Sequence, residues 1–151
     1  MWGGGVKTFD YDPDLNPDII GDVREIDEIV TQKYDCILCC QVLEHLEWRF
    51  FEDIIRRLSL ICNDTLILSL PQRQVNFRLK FDIPKIHFKI LMSVKLFLKK
   101  RFTFNGEHYW EVESKGYPKK AIRRIISKYF TIENEYVVFE NPYHWFLRLK
   151  I

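Results

Sequence analysis

No run of about 18 uninterrupted apolar residues occurs in the chain, so no segment is long and greasy enough to be expected to cross a bilayer as a helix. A secretory opening, charged and then apolar, is also missing: Met1 is followed by glycines and by the strand-like Val6-Lys7-Thr8-Phe9. A cytoplasmic location is therefore the expectation. Cysteine is scarce, with Cys36, Cys39 and Cys40 in one apolar stretch and Cys62 further on. Side chains alternate faces along a strand, which turns Cys36 and Cys40 one way and Cys39 the other, so no metal site is expected there and the thiols read as small buried hydrophobes. Internal repeats are absent. So is the low hydrophobicity of a disordered chain, because 47% of residues are hydrophobic and 15% aromatic.

What is present suits one domain of residues 1–151, large enough to bury about 70% of its unfolded surface. The net charge of +2 conceals a segregation. Residues 1–72 carry 6 basic and 14 acidic side chains, residues 73–101 carry 9 and 1, and residues 102–151 carry 8 and 6. A clustered positive segment attracts phosphate, anionic lipid or an acidic substrate, although a solvated basic face around apolar residues has the same composition.

The patterning is that of strands alternating with helices. Val6 to Asp10 and Asp18 to Gly21 read as short strands around an Asp-Pro-Asp-Leu-Asn-Pro turn. Ile26, Ile29 and Val30 give a brief helix one apolar face, and Tyr34 to Gln41 reads as a parallel strand covered on both sides. Phe51, Ile54, Ile55, Leu58 and Ile61 recur at helical spacing, and Thr65 to Leu70 forms the next buried strand, ended by Pro71. After Pro118 a helix is expected with Ile122, Ile125, Ile126 and Tyr129 on one face, followed by strands over Thr131–Phe139 and Tyr143–Ile151 close enough to pair as a hairpin. The expected fold class is α/β: a Rossmann-like, mostly parallel sheet with a C-terminal antiparallel hairpin.

Residues 72–105 interrupt this order as a basic, apolar insert too long for an ordinary connection. Within it, Lys85 to Lys100 reads as an amphipathic basic helix, serving as a lid, as a membrane-interfacial segment or as a partner-binding segment. Peripheral membrane contact would fall on 79–104. No nucleic-acid recognition element is legible, so no nucleic acid is expected as partner.

The series Phe9-Asp10-Tyr11-Asp12, Gly21-Asp22-Val23 and Tyr34-Asp35-Cys36-Ile37-Leu38-Cys39-Cys40-Gln41, closing on Val42-Leu43-Glu44-His45-Leu46, resembles the nucleotide half of a class I S-adenosylmethionine-dependent methyltransferase. Thr65 to Pro71, Gly106-Glu107-His108-Tyr109-Trp110-Glu111 and Glu140-Asn141-Pro142-Tyr143-His144 continue the likeness. The resemblance implies S-adenosyl-L-methionine as cofactor and a small-molecule or glycan-like acceptor.

Ligands of open parallel sheets bind beyond the carboxyl ends of the strands, where a carboxylate can accept both hydrogen bonds of a ribose diol. Asp10 is the first choice for that role and Asp12 the reserve, while Asp14 and Asp18 read as turn chemistry. By resemblance, Asp22 receives the adenine amino group, the Val23 backbone lies at the ring edge, and Cys40 and Gln41 flank the methionine portion. Glu44 and His45 would face the pocket mouth, with His45 as a base toward an acceptor hydroxyl or amine, and His108 is a further catalytic candidate. Glu107, His108, Tyr109 and Trp110 would bind the acceptor by stacking and hydrogen bonds, with Tyr143 and His144 reaching the same mouth.

The family's first strand and glycine-rich loop have no counterpart ahead of Val6, and Gly3-Gly4-Gly5 is too short to supply the loop. The expectation is an N-terminally truncated version of the fold, impaired in cofactor binding. Each group left buried and unpaired by the missing strand would cost about 1–3 kcal/mol. A noncatalytic module docking through its basic insert is the alternative role.

Overall fold

The computed structural model describes residues 5–73, 75–83, 86–94 and 102–151. Its centre is a four-stranded sheet of order β3-β4-β8-β7, in which β3 (Tyr34–Cys40) and β4 (Cys62–Pro71) run parallel and β8 (His144–Lys150) is antiparallel to both β4 and β7 (Thr131–Tyr136). A second, two-stranded parallel sheet pairs β1 (Phe9–Asp10) with β2 (Ile19–Ile20). Among the described residues, neither β1 nor β3 has a strand on its other side. In the family that the sequence resembles, a central strand fills that position.

Apolar spacing decides where each element sits. β4 lies between two strands and has the continuous apolar run of a doubly covered strand, with Leu66, Leu68 and Leu70 fully buried. Along β8, Trp145, Leu147 and Leu149 turn inward while Arg148 stands in solvent. Helix α2 (Phe51–Ile61) buries Phe51, Ile54, Ile55, Leu58 and Ile61, the stripe expected of a helix on a sheet. Its polar side is tied to α1 (Ile26–Ile29) by Arg57, which reaches Asp27, Glu28 at 2.9 Å and Asp53 at 2.8 Å. Helix α3 (Lys119–Ile126) starts after Pro118, whose carbonyl accepts from Ala121 N–H at 2.9 Å, and buries Ile122 and Ile126. An aromatic cluster closes the core, with Trp48 stacked on Phe51 and edge-on to Trp110.

Two expectations fail here. β3 is not covered on both faces: Leu38 is 72% exposed, and Cys36 and Cys40, on the same side of the pleat, are exposed free thiols. Alternation is respected, since Cys39 points into the core, but no described segment lies over the other face. The second failure is the basic helix. β5 (Val75–Ile83) and β6 (Ile86–Val94) form an antiparallel hairpin instead, so the Lys85–Lys100 helix is not formed over its described part. Period-two pairing of Phe77 with Met92 and of Leu79 with Ile90 outweighs the scattered helical pattern. The remainder of that expectation, residues 85 and 95–100, lies outside the described residues. Arg78 ties the hairpin to the body by donating to the Glu140 carbonyl at 3.0 Å.

Candidate functional site

β3 ends at Cys40, and the chain turns sharply at Gln41, a non-glycine residue in the left-handed region at φ 59°. A short 3-10 turn, Leu43–His45, follows and drives Leu43 and Glu44 inward while His45 stays exposed. The segment from Asn105 to Ser114 is laced over this end of the sheet. Tyr109 N–H donates to the Glu44 carbonyl at 2.8 Å, the Trp110 indole to the Leu46 carbonyl at 3.0 Å, and Val112 N–H to the Pro71 carbonyl at 2.9 Å. The carboxyl ends of β3 and β4 are therefore held under one strap. Gln72 fastens the C-terminal hairpin to the same place, its N–H donating to the Tyr143 carbonyl at 2.8 Å and its amide to the Pro142 carbonyl at 3.1 Å.

His108 is presented by a local turn. Asn105 Oδ1 accepts from Glu107 N–H at 3.0 Å and His108 N–H at 2.7 Å, and Gly106 at φ 101° supplies a backbone that a side chain would strain. The result brings together Glu44, His45 and His108, with one ligand-capable atom from each lying within 4.8 Å of the others. The imidazoles of His45 and His108 meet edge to face at a centroid distance of 5.1 Å. His45 Nδ1 lies 3.0 Å from the Glu107 carbonyl and His108 Nδ1 lies 3.3 Å from Glu111 Oε1, which also accepts from the Tyr143 hydroxyl. His144 packs its ring edge-on to Tyr143 and is buried.

The electrostatics of this cluster are set by burial. Glu44 is 0% exposed, and neither of its carboxylate oxygens has a partner of good hydrogen-bond geometry among the described residues. Desolvation raises its pKa, opposed by its own backbone N–H and by the neighbouring imidazoles of His45 and His108. Desolvation, and then the nearby His108, hold His144 below the usual histidine value. The Tyr143 hydroxyl is pushed up by desolvation and then by the Glu111 carboxylate that accepts its hydrogen bond. Cys39 is driven to about 12 by burial, which leaves its thiol inert.

The acidic candidates occupy the other sheet. Asp10, half-buried at the end of β1, accepts from Asp12 N–H at 3.0 Å, and Asp12 in turn caps the Pro13–Leu15 turn through Asp14 N–H at 2.9 Å. Asp22 follows β2 and caps Val23–Glu25, accepting from Arg24 N–H at 2.8 Å and from Arg24 Nε at 2.9 Å. That guanidinium, first through its side-chain hydrogen bonds, lowers the Asp22 pKa. Gly21 lies close under Ile29 and Phe9, and a Cβ there would force the end of the Ile29 side chain to move. Cys40 and Gln41 are exposed at the end of β3.

Trp110 does not fit the acceptor-binding role expected of it. It is 0% exposed and its ring is used in packing against Trp48 and Phe51. Tyr109 is partly exposed beside Phe104, and Glu107 is exposed but contributes its carbonyl to His45. Glu111 was not singled out from sequence as a site residue. Its spacing of three from His108 is the signal that could have found it.

The comparisons agree with this architecture. A glycopeptide N-methyltransferase, MtfA, complexed with S-adenosyl-L-homocysteine superposes with a TM-score of 0.53 at 8% identity, over 88% of this chain and 60% of that one. A S-adenosylmethionine-dependent methyltransferase from Clostridium acetobutylicum gives 0.52 at 9% identity, over 87% and 63%. Magnesium protoporphyrin IX methyltransferase from Synechocystis, with bound S-adenosylhomocysteine, gives 0.52 at 16% identity, over 87% and 49%. No family model and no curated protein sequence matches the chain. The chain has the fold of the class I S-adenosylmethionine-dependent methyltransferases. It spans between 49% and 63% of the length of these solved structures.

Proposed function

We propose that this chain is a S-adenosylmethionine-dependent methyltransferase domain acting on a small-molecule or glycan-like acceptor. The observation that carries the reading is the strap over the carboxyl ends of β3 and β4, which gathers Glu44, His45 and His108 where an open α/β sheet places its ligands. The methyl of a sulfonium is already activated, so the protein's work is alignment, exclusion of water and removal of a proton where the acceptor carries one.

In this reading Asp10 accepts from the ribose diol, with Asp12 beside it, and Asp22 takes the adenine amino group alongside the Val23 backbone. Arg24 donates its backbone N–H, its Nε–H and an Nη2–H to the Asp22 carboxylate, which leaves about one of its four or so lone-pair sites for the adenine amino group. Cys40 and Gln41 line the methionine portion. His45 is the base, because its Nδ1–H is committed to a carbonyl and Nε2 keeps its lone pair. Tyr109 and Tyr143 face the acceptor. Cytoplasmic location belongs to this reading; in the structure itself, no described helix is long and apolar enough to cross a membrane.

Calorimetric titration with S-adenosylhomocysteine tests it, on the 151-residue chain and on a version extended upstream in the reading frame. Heat of binding that disappears in Asp10→Asn and Asp22→Asn supports the assignment. Absence of binding in both lengths overturns it.

A second reading rests on the β5–β6 hairpin, which exposes Phe77, Leu79 and Met92 beside Arg78 and Lys80. Such a surface suits docking on an anionic membrane at the interface. Sedimentation with anionic but not neutral vesicles, abolished by Phe77→Ser with Met92→Ser, would favour it.

A further inference from the structure

We propose that Glu44, His45 and His108 form a two-histidine, one-carboxylate site for a single divalent cation of the zinc type. The donors come from two segments, the turn after β3 and the strap, and the Tyr109–Glu44 backbone hydrogen bond of 2.8 Å fixes one against the other. One donor atom from each of the three residues lies within 4.8 Å of the others. Donors around a tetrahedral zinc stand about 3.3 Å apart, so small side-chain rotations close the set.

The carboxylate points to a ligand independently. Glu44 is fully buried, and among the described residues neither oxygen has a partner of good hydrogen-bond geometry. A buried carboxylate in that state is costly unless a cation or donor completes it. Each imidazole also makes the second hydrogen bond that metal-bound imidazoles make. Carbonyl and carboxylate oxygens only accept, so His45 Nδ1–H donates to Glu107 and His108 Nδ1–H to Glu111, and each ring is left with its Nε2 lone pair free. Glu111 is steadied in turn by the Tyr143 hydroxyl. A carboxylate–histidine relay of this kind fixes both tautomer and ring plane.

The donor chemistry selects the cation. Two nitrogens and one oxygen suit zinc and its borderline neighbours, whereas magnesium and calcium prefer all-oxygen sets. Three protein donors leave a fourth position open, and the exposed His45 marks the entry side. A hydroxyl of the acceptor placed there would lose its proton more readily; with its Nε2 on the cation, His45 would then serve methyl transfer as a ligand rather than as the free base. Binding of the cation does not depend on that reading.

The test uses the full chain without any cofactor. After stripping with a chelator, the protein is dialysed against Zn²⁺ and its metal content measured by mass spectrometry, and the visible spectrum of the Co²⁺ form is recorded. One cation per chain is expected, with affinity falling at least 10-fold in His108→Gln and in Glu44→Gln. Glu111→Gln, which touches the His108 ring and the Tyr143 hydroxyl but supplies no donor to the cation, should weaken binding about 10- to 100-fold at unchanged stoichiometry. Cys36→Ser with Cys40→Ser should bind as the parent does. A stoichiometry near zero overturns the proposal. So does undiminished zinc in His45→Gln, which puts the cation elsewhere, or a thiolate charge-transfer band with Co²⁺, which puts it on cysteine. His45 is exposed, so its variant remains informative if circular dichroism shows that the buried substitutions unfold the chain.

Discussion

Tyr143 and His108 share one acceptor: the tyrosine hydroxyl donates to Glu111 Oε1, and His108 Nδ1 lies 3.3 Å from the same oxygen. The C-terminal hairpin is thereby wired to the strap through a single buried carboxylate. Tyr143→Phe removes a charge-assisted bond without changing shape, and Tyr143 is partly exposed, so water replaces some of the loss. A cost of about 1 kcal/mol is expected, read as a fall of about 2–4 °C in thermal midpoint. An unchanged midpoint would mean that Glu111 is held by other groups.

Trp110 separates packing from recognition. Its ring is fully buried against Trp48, Phe51 and Tyr117. Trp110→Ala should cost about 3–5 kcal/mol of stability, measured by denaturant unfolding. Were the ring a stacking platform for an acceptor, the same variant would lose ligand affinity and keep its unfolding midpoint.

Legibility followed burial. The α2 stripe, the run of β4 and the alternation of β8 are periodic because each packs on a finished core, and sequence alone located all three. The order of chemistry-bearing segments was also readable, since Glu44-His45 and His108 lie at strand ends and in a dense polar motif. Their meeting at one mouth was expected from the resemblance alone, because the Tyr109–Glu44 and Val112–Pro71 backbone bonds that bring distant segments together leave no local pattern. The openness of β3 was invisible for a similar reason: Cys36-Ile37-Leu38-Cys39-Cys40 is as apolar as a strand covered twice, and only the arrangement of neighbours tells which side is bare. The basic insert misled because Phe77, Leu79 and Met92 are exposed, so no buried face imposed a period. The Trp110 reading failed because an aromatic beside polar groups has the same local sequence whether it faces a ligand or the core.

The bare face of β3 makes its own prediction. Leu38 and Cys39 are neighbours on opposite sides of the strand, the first in solvent and the second in the core beside β4, where Cys39 is paired in register with Leu68. Leu38→Lys should change stability by less than about 0.5 kcal/mol, whereas Leu68→Ala should cost about 2–5 kcal/mol. Urea unfolding of the two variants measures both. A large loss in Leu38→Lys would require a segment packed over that face.

Arg123 and Glu135 join α3 to β7 through two hydrogen bonds of 2.7 Å, and the guanidinium holds the Glu135 carboxyl below its ordinary range. With the folded value below the unfolded one of about 4.3, the pair stabilises the fold above that pH and loses its contribution as pH falls through the folded value. Both side chains are partly exposed, so screening limits the effect to about 0.5–1 kcal/mol. Glu135→Gln should therefore lower the thermal midpoint at pH near 7 by about 1–4 °C, and parent and variant should converge in acid below the folded value. A difference of the same size at both ends of the pH range would assign the loss to packing of the Glu135 stem rather than to its charge.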